Sequence, residues 1–162
     1  MITPQTMSDA LKRNASILKL QAAGLSDADS FIQLPFRANC LNWTLGHILT
    51  NRSEILRLLT GQEPDWATQV ERYKRESDPV TAPGAGVLAL EHLLALIASS
   101  QEQIGEALAT CSPEYLAKEI AFLGDRRQSR GAWLFFFFFH DSYHTGQTEI
   151  LRQAAGVDDK II

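Results

Sequence analysis

The chain has 162 residues and a formal net charge of −4 at pH 7, with 45% hydrophobic and 21% charged residues. These values are typical of a globular protein that buries its own core, and they exclude a disordered chain. The mild acidity argues against nucleic-acid binding, because phosphate recognition depends on concentrated positive charge.

Four segments carry helical periodicity, and none shows the alternation of a β-strand. In chain order they cover about residues 4–23, 42–61, 86–110 and 129–155. Thr3 precedes Pro4 as a typical N-cap, and Gly24 follows the first segment as a natural stop. The sequence therefore predicts an all-α fold, a four-helix bundle with two long connections, in which functional sites lie between facing helices.

The connections carry fewer signals than the helices. The pair Ser112-Pro113 indicates a cap that opens a short extra helical turn before the fourth segment. The charged stretch 71–76 is expected to be a solvated face or loop. We expect one domain over residues 1–162.

The cysteine content, the N-terminal residues and the longest apolar run indicate the compartment of the protein and whether it has a membrane partner. Cys40 and Cys111 are too few for a disulfide framework and form no metal-binding motif. The N-terminal residues do not read as a secretory signal. The longest apolar run, 132–139, is far shorter than the ~20 residues of a membrane span. These features predict a cytoplasmic protein with no membrane or nucleic-acid partner.

The fourth segment contains five successive phenylalanines, residues 135–139. Successive helical positions turn by ~100°, so these rings point in every direction around the helix. Such a helix is not expected to face water on any side. It is either the central helix of the bundle or part of a subunit interface, with Phe135 and Phe138 as the interface candidates. The sequence thus predicts a homodimer.

The chain has four histidines, and two of them are separated by four residues on the last helix. This spacing places His140 and His144 on one face, which suits two ligands of a single metal ion. Buried imidazoles need partners, and a metal could serve both. His47, near the start of the second helix, is the natural third ligand, although a hydrogen bond to a carbonyl would also explain it. His92 is expected at the surface.

Two further motifs match a known family. The stretch from His144 to Gly156 resembles the HxGQ…LR…G ending of the DinB/YfiT-like superfamily, and His140 completes its HxxxHxGQ pattern. Residues 42–49 (NWTLGHIL) are similar to its upstream (S/N)WxxGH motif. At positions 143 and 145 this chain has Tyr and Thr, where many members carry a second histidine or a basic residue.

The resemblance implies a DinB-like bundle, commonly dimeric, that binds metal through His47, His140 and His144. Characterised relatives include thiol-dependent transferases and isomerases that use bacillithiol or mycothiol. We therefore expect one divalent ion per chain, zinc or nickel first and iron or manganese as further candidates, together with a low-molecular-weight thiol as a possible cofactor.

Three imidazole ligands leave a coordination position open, as in catalytic metal sites. An ion held in this way can activate a bound water or thiol at neutral pH. Gln147 is a candidate to orient a ligand, and Asn51 and Glu54 are candidate partners around His47. Neither cysteine has an identifiable activating base.

Three hypotheses for the function follow. The first is a metal-dependent enzyme, a thiol S-transferase or a hydrolase, that acts on a small electrophilic substrate. The second is a non-catalytic, stress-associated bundle that binds a metal or another ligand. The third is a structural homodimer whose histidines pack without metal.

Overall fold

A computed structural model describes residues 3–161, which form five α-helices, two 3₁₀ helices and two short strands. In chain order these elements are α1 (Pro4–Ala22), a first 3₁₀ helix (Ala28–Phe31), α2 (Leu41–Thr60), a second 3₁₀ helix (Ala67–Tyr73), α3 (Leu90–Ala109), α4 (Pro113–Ala117), β1 (Glu119–Ala121), β2 (Arg127–Ser129) and α5 (Arg130–Ala154). The four predicted helices are confirmed, and only the start of α3 differs by more than one residue. The predicted extra turn after Ser112 is α4.

The four long helices form the bundle that the sequence predicts. Each of α1 and α2 packs against both α3 and α5, so α1 lies diagonally across from α2. The aliphatic core between them includes Leu11, Leu18, Leu45, Ile48, Leu49, Ile55, Leu93 and Ile104, all of which are fully buried. No helix within residues 3–161 combines the length and the hydropathy needed to cross a bilayer.

A small antiparallel hairpin lies just before α5 and was not predicted. Strands β1 and β2 pair with Glu119 opposite Ser129. Strands of three residues are too short to show a period-two pattern, so their sequence carries no strand signal. The hairpin ends at Ser129, whose Oγ accepts a hydrogen bond from the amide of Ala132 at 3.1 Å. This cap fixes where α5 begins.

The link between α2 and α3 contains one buried residue, Tyr73, within the stretch 71–76 that was expected to be a solvated face or loop. The charged side chains of this stretch are exposed, except that of Arg72, which is half-buried. The hydroxyl of Tyr73 donates to Asn42 Oδ1 at 3.0 Å and accepts from the amide of Leu88 at 2.7 Å. Its ring lies against Gly46, where any β-carbon would collide with it. The aromatic residue within the charged run therefore anchors the link to α2.

A buried ion pair joins α2 to α5. Arg52 Nε donates to Asp141 Oδ2 at 2.8 Å, and both side chains are completely buried. Asn14 of α1 donates to the other carboxylate oxygen at 2.8 Å. Arg52 also donates to Ser100 of α3 at 3.4 Å and to the carbonyl of Leu11 at 3.3 Å. This network ties together the four long helices and sets the position of α5 against α2.

The phenylalanine run is only partly covered by the bundle of this chain. Phe137 is 1% exposed and Phe138 packs against the core, but Phe135, Phe136 and Phe139 are 49%, 42% and 62% exposed. Of the two interface candidates, Phe135 is exposed and Phe138 is half-buried, and the homodimer stays a prediction. The bundle covers one side of this part of α5, where the ring of Phe137 packs against that of Phe122, from the segment between β1 and β2.

Candidate metal centre

Three histidines from two helices converge at one end of the interface between α2 and α5. His47 comes from α2, and His140 and His144 lie one turn apart on α5. Their ring centroids are 5.1 Å (His47–His140), 5.0 Å (His47–His144) and 4.5 Å (His140–His144) apart. One potential ligand nitrogen from each ring lies within 4.8 Å of the others. The structure thus brings together the three residues that the sequence selected.

Hydrogen bonds hold two of the three rings in a defined tautomer. His47 Nδ1 donates to the carbonyl of Tyr73 at 2.8 Å. His144 Nδ1 donates to Gln147 Oε1 at 2.7 Å. Because an acceptor oxygen requires the hydrogen on Nδ1, the Nε2 lone pair of each neutral ring remains available. Trp43 stacks on His47 with centroids 4.5 Å apart and further restricts that ring.

The third ring, that of His140, has an unsatisfied nitrogen. Its Nδ1 is buried and has no hydrogen-bond partner among residues 3–161. Buried polar atoms nearly always have a partner, and an exception calls for an explanation such as a bound ion. A metal ion bound through this nitrogen and through the two neighbouring histidines would supply the missing partner.

Burial keeps the cluster uncharged. Desolvation lowers the pKa of His140 to about 4, with further lowering by the nearby His144 and His47. Desolvation also lowers the pKa of His47 and of His144, and the hydrogen bonds to Tyr73 and Gln147 only partly oppose it. All three imidazoles are therefore neutral at pH 7, which is the form that binds metal ions.

The cluster is open to two cavities. The main cavity, of about 1140 Å³, exposes all three histidines together with Gln147 and Tyr143. A second cavity, of about 450 Å³, reaches His47 and His140 from the other side. A small molecule in the main cavity can thus contact the same atoms that would hold a metal.

The other candidates from the sequence have different partners. Asn51 Nδ2 donates to the carbonyl of Phe137 at 3.2 Å, and Glu54 pairs with Arg57. Both residues line the second cavity, but within the described chain neither bonds to His47. The residue that orients His47 is Tyr73, 26 positions away, and no local signal pointed to its carbonyl. Gln147, by contrast, lines the main cavity and bonds to His144.

His92 and the two cysteines are not part of the histidine cluster. His92 is exposed, as predicted, and bonds to Gln69 at 2.8 Å. Cys40 is buried, and its Sγ donates to the carbonyl of Val80 at 3.1 Å. Burial raises the pKa of both Cys40 and Cys111, so neither thiol is activated as a nucleophile.

Comparison with known proteins agrees with the architecture. The sequence profile of the DinB superfamily matches residues 10–148. A conserved protein from Enterococcus faecalis is similar in structure, with a TM-score of 0.74, 17% identity, and coverage of 96% of this chain and 98% of the other. A DinB-like protein from Bacillus cereus gives a TM-score of 0.70 at 18% identity, with 99% of each chain covered. No curated protein matches significantly. The chain belongs to the DinB superfamily.

Proposed function

We propose that this member of the DinB superfamily binds one divalent metal ion through His47, His140 and His144, and that it is a metal-dependent enzyme acting on a small electrophile. The observation that carries the proposal is the convergence of three neutral imidazoles on the wall of an open cavity. Purely structural histidine clusters do not require an adjoining cavity, whereas a metal site that admits a substrate does.

The residues fit a metal of the borderline class. Three imidazole nitrogens suit zinc, nickel or iron, with manganese less favoured by nitrogen ligands. The unpartnered Nδ1 of His140 indicates a cluster whose bonding capacity is not met by the protein alone. When bound, such an ion would supply a Lewis acid that lowers the pKa of a coordinated water or thiol toward neutrality.

The chain's own residues prepare this site in two ways. The carbonyl of Tyr73 and the side chain of Gln147 hold His47 and His144 with their Nδ1 atoms protonated. The amide nitrogen of Gln147 has no partner among residues 3–161 and lies on the main cavity. It can donate a hydrogen bond to a ligand there, so Gln147 both orients a histidine and contacts the substrate.

The first test is metal content. Purified, dialysed protein should contain about one equivalent of divalent metal per chain, as measured by inductively coupled plasma mass spectrometry. His144→Ala should lose it, whereas His92→Ala, which removes an exposed histidine elsewhere, should retain it. Equal metal contents in all three proteins would rule out the site.

A second test separates an enzyme from a binding module. A screen of small electrophiles with a low-molecular-weight thiol, or with water alone, should reveal turnover that chelation removes. A Cys40→Ser, Cys111→Ser double variant should keep this turnover, since neither thiol is activated. Circular dichroism must show that the chelated protein stays folded, because metal binding also stabilises the native state. Metal binding without any turnover would favour a non-catalytic module.

We also propose that the chain forms a homodimer through the exposed side of α5. Phe135 and Phe139 follow one another at an interval of four, and they are 49% and 62% exposed. Phe136 extends the same stripe at 42%, and none of the three lines the main cavity. A continuous apolar stripe on a monomer's surface is typical of an interface.

A further inference from the structure

The two cavities at the histidine cluster differ in charge. The main cavity is lined by two arginines, Arg37 and Arg75, against a single glutamate, Glu76. The second cavity has three glutamates, Glu54, Glu63 and Glu71, against Lys74 and Arg75. The main cavity therefore carries excess positive charge on a chain whose net charge is −4. Local fields of this kind select the charge of small ligands.

The arginines of the main cavity are also free to bind. Within the described part of the chain, Arg37 makes no side-chain hydrogen bond or ion pair. Arg75 lies 3.7 Å from Glu76, but both side chains are more than 80% exposed, so this pair is weak. Lys74 on the second cavity, in contrast, already pairs with Glu71 at 2.6 Å.

Apolar and aromatic residues also line the main cavity, alongside polar residues such as Asn39, Thr44 and Ser77. Trp43 forms part of its wall beside His47. Phe36, Tyr143 and Ile150 line it with 61%, 57% and 52% of their surfaces exposed. Exposed aromatic and aliphatic groups around a cavity indicate a ligand with an apolar body. The wall thus combines apolar groups, the histidine cluster and two guanidinium groups, of which that of Arg75 is only weakly paired.

We propose that the main cavity selects a small anionic substrate with an apolar body, whose anionic group is held by Arg37 and Arg75 while its reactive end faces the three histidines. This inference rests on the proposed function and specifies the substrate class of that site. Guanidinium groups match the oxygens of carboxylate, sulfonate and phosphate, so the shared feature is an oxyanion. The glutamates of the second cavity disfavour the same anion there.

The test uses three thiols of equal length: 3-mercaptopropanesulfonate, 3-mercaptopropanol and 3-mercaptopropylamine. The sulfonate is chosen because it is a poor metal ligand, so its effect reports on the arginines. Binding to the cobalt-loaded protein is followed by the absorbance change on thiolate coordination, at low ionic strength. The sulfonate should bind about fivefold more tightly than the alcohol, the scale of one or two exposed ion pairs, and the amine most weakly.

Variants test whether Arg37 and Arg75 cause the preference for the sulfonate. Arg37→Gln combined with Arg75→Gln should make the sulfonate and the alcohol bind equally. Lys74→Gln, which removes a positive charge from the second cavity only, should keep the fivefold preference. Equal binding of the three thiols to the wild type would overturn the inference. So would a loss of preference in Lys74→Gln as large as in the arginine variant, because that would indicate long-range charge and not a site.

A metal-independent measurement keeps the two proposals separate. Calorimetry on the metal-free protein compares 3-phenylpropanesulfonate with 3-phenylpropanol, in the wild type and in the same variants. A preference for the sulfonate that depends on Arg37 and Arg75 supports the inference even if no thiol changes the cobalt spectrum, a result that would count against the proposed thiol chemistry alone. Absence of the preference in this measurement overturns the inference while leaving the metal site intact.

Discussion

Replacing Asp141 with Asn should destabilise the protein strongly, although Asp141 is not one of the proposed metal ligands. The change keeps the shape of the side chain and removes its charge. It leaves Arg52, whose side chain is fully buried, without a counter-charge. Two short hydrogen bonds, from Arg52 and from Asn14, at 2.8 Å each, lose their charged acceptor.

The magnitude follows from burial. Removing one partner of a buried ion pair typically costs about 3–5 kcal/mol, because the remaining charge stays uncompensated. The free energy of unfolding of a domain is about 5–15 kcal/mol, so the loss is a large fraction of it. Glu71→Gln is the matched control, since it makes the same chemical change in an exposed pair with Lys74, where about 0–1 kcal/mol is expected.

The assay is equilibrium unfolding in urea of the metal-free proteins, monitored by circular dichroism. The double variant Arg52→Met, Asp141→Leu should be markedly more stable than Asp141→Asn, because it removes both charges and fills the space with apolar groups. If Asp141→Asn loses no more stability than Glu71→Gln, the pair of Arg52 and Asp141 does not hold α2 and α5 together.

Three shorter predictions concern other parts of the molecule. Gly46→Ala should lower the free energy of unfolding in urea by about 1–3 kcal/mol, because the added methyl group collides with the ring of Tyr73. Gly105→Ala on α3, where a methyl group has room, should raise it by up to ~1 kcal/mol. Equal effects of the two substitutions would refute the role of the Tyr73 contact. In the metal-free protein, burial lowers the pKa of His140 to about 4, whereas the same residue in the unfolded chain titrates near 6.5. As the pH is lowered from about 6.5 to 4, the unfolded chain therefore binds this proton first, and the free energy of unfolding should decrease. His140→Gln should lose this part of the pH dependence, and an unchanged slope would contradict the assignment. Light scattering should show a dimer that Phe139→Ser dissociates toward 18.0 kDa, whereas a wild-type monomer stable to dilution would exclude the interface.

The helices and the histidine cluster were predictable because both depend on local spacing. Apolar periodicity defined the four long helices, and the four-residue interval put His140 and His144 on one face. Caps such as Thr3 and Ser112 confirm the positions that the sequence indicated, since each accepts a hydrogen bond from the first turn of its helix. Such features need only residues within one or two turns.

The partners that orient the cluster could not be predicted in this way. The carbonyl that accepts from His47 belongs to Tyr73, in a charged stretch that reads as a solvated loop. A backbone carbonyl carries no residue signature, so sequence alone gives no reason to prefer Tyr73 over its neighbours. Gly46, which precedes His47, marks the position where the ring of Tyr73 approaches α2. A glycine inside a helix indicates a close approach without naming what approaches.

Helix α5 shows why hydrophobicity alone does not determine which side of a helix faces the core. Asp141, Thr145, Thr148 and Arg152 are all buried, at intervals of four, three and four, so a polar stripe faces the interior. Arg152 donates to the carbonyls of Gln21 and Ala23, and both threonines bond to carbonyls of their own helix. Because backbone and charged partners satisfy this stripe, the helix can bury polar residues and still leave phenylalanines outside. Hydrophobicity alone left two interpretations of α5, a central helix or part of a subunit interface, whereas the pairing of its polar groups decides which side faces the core.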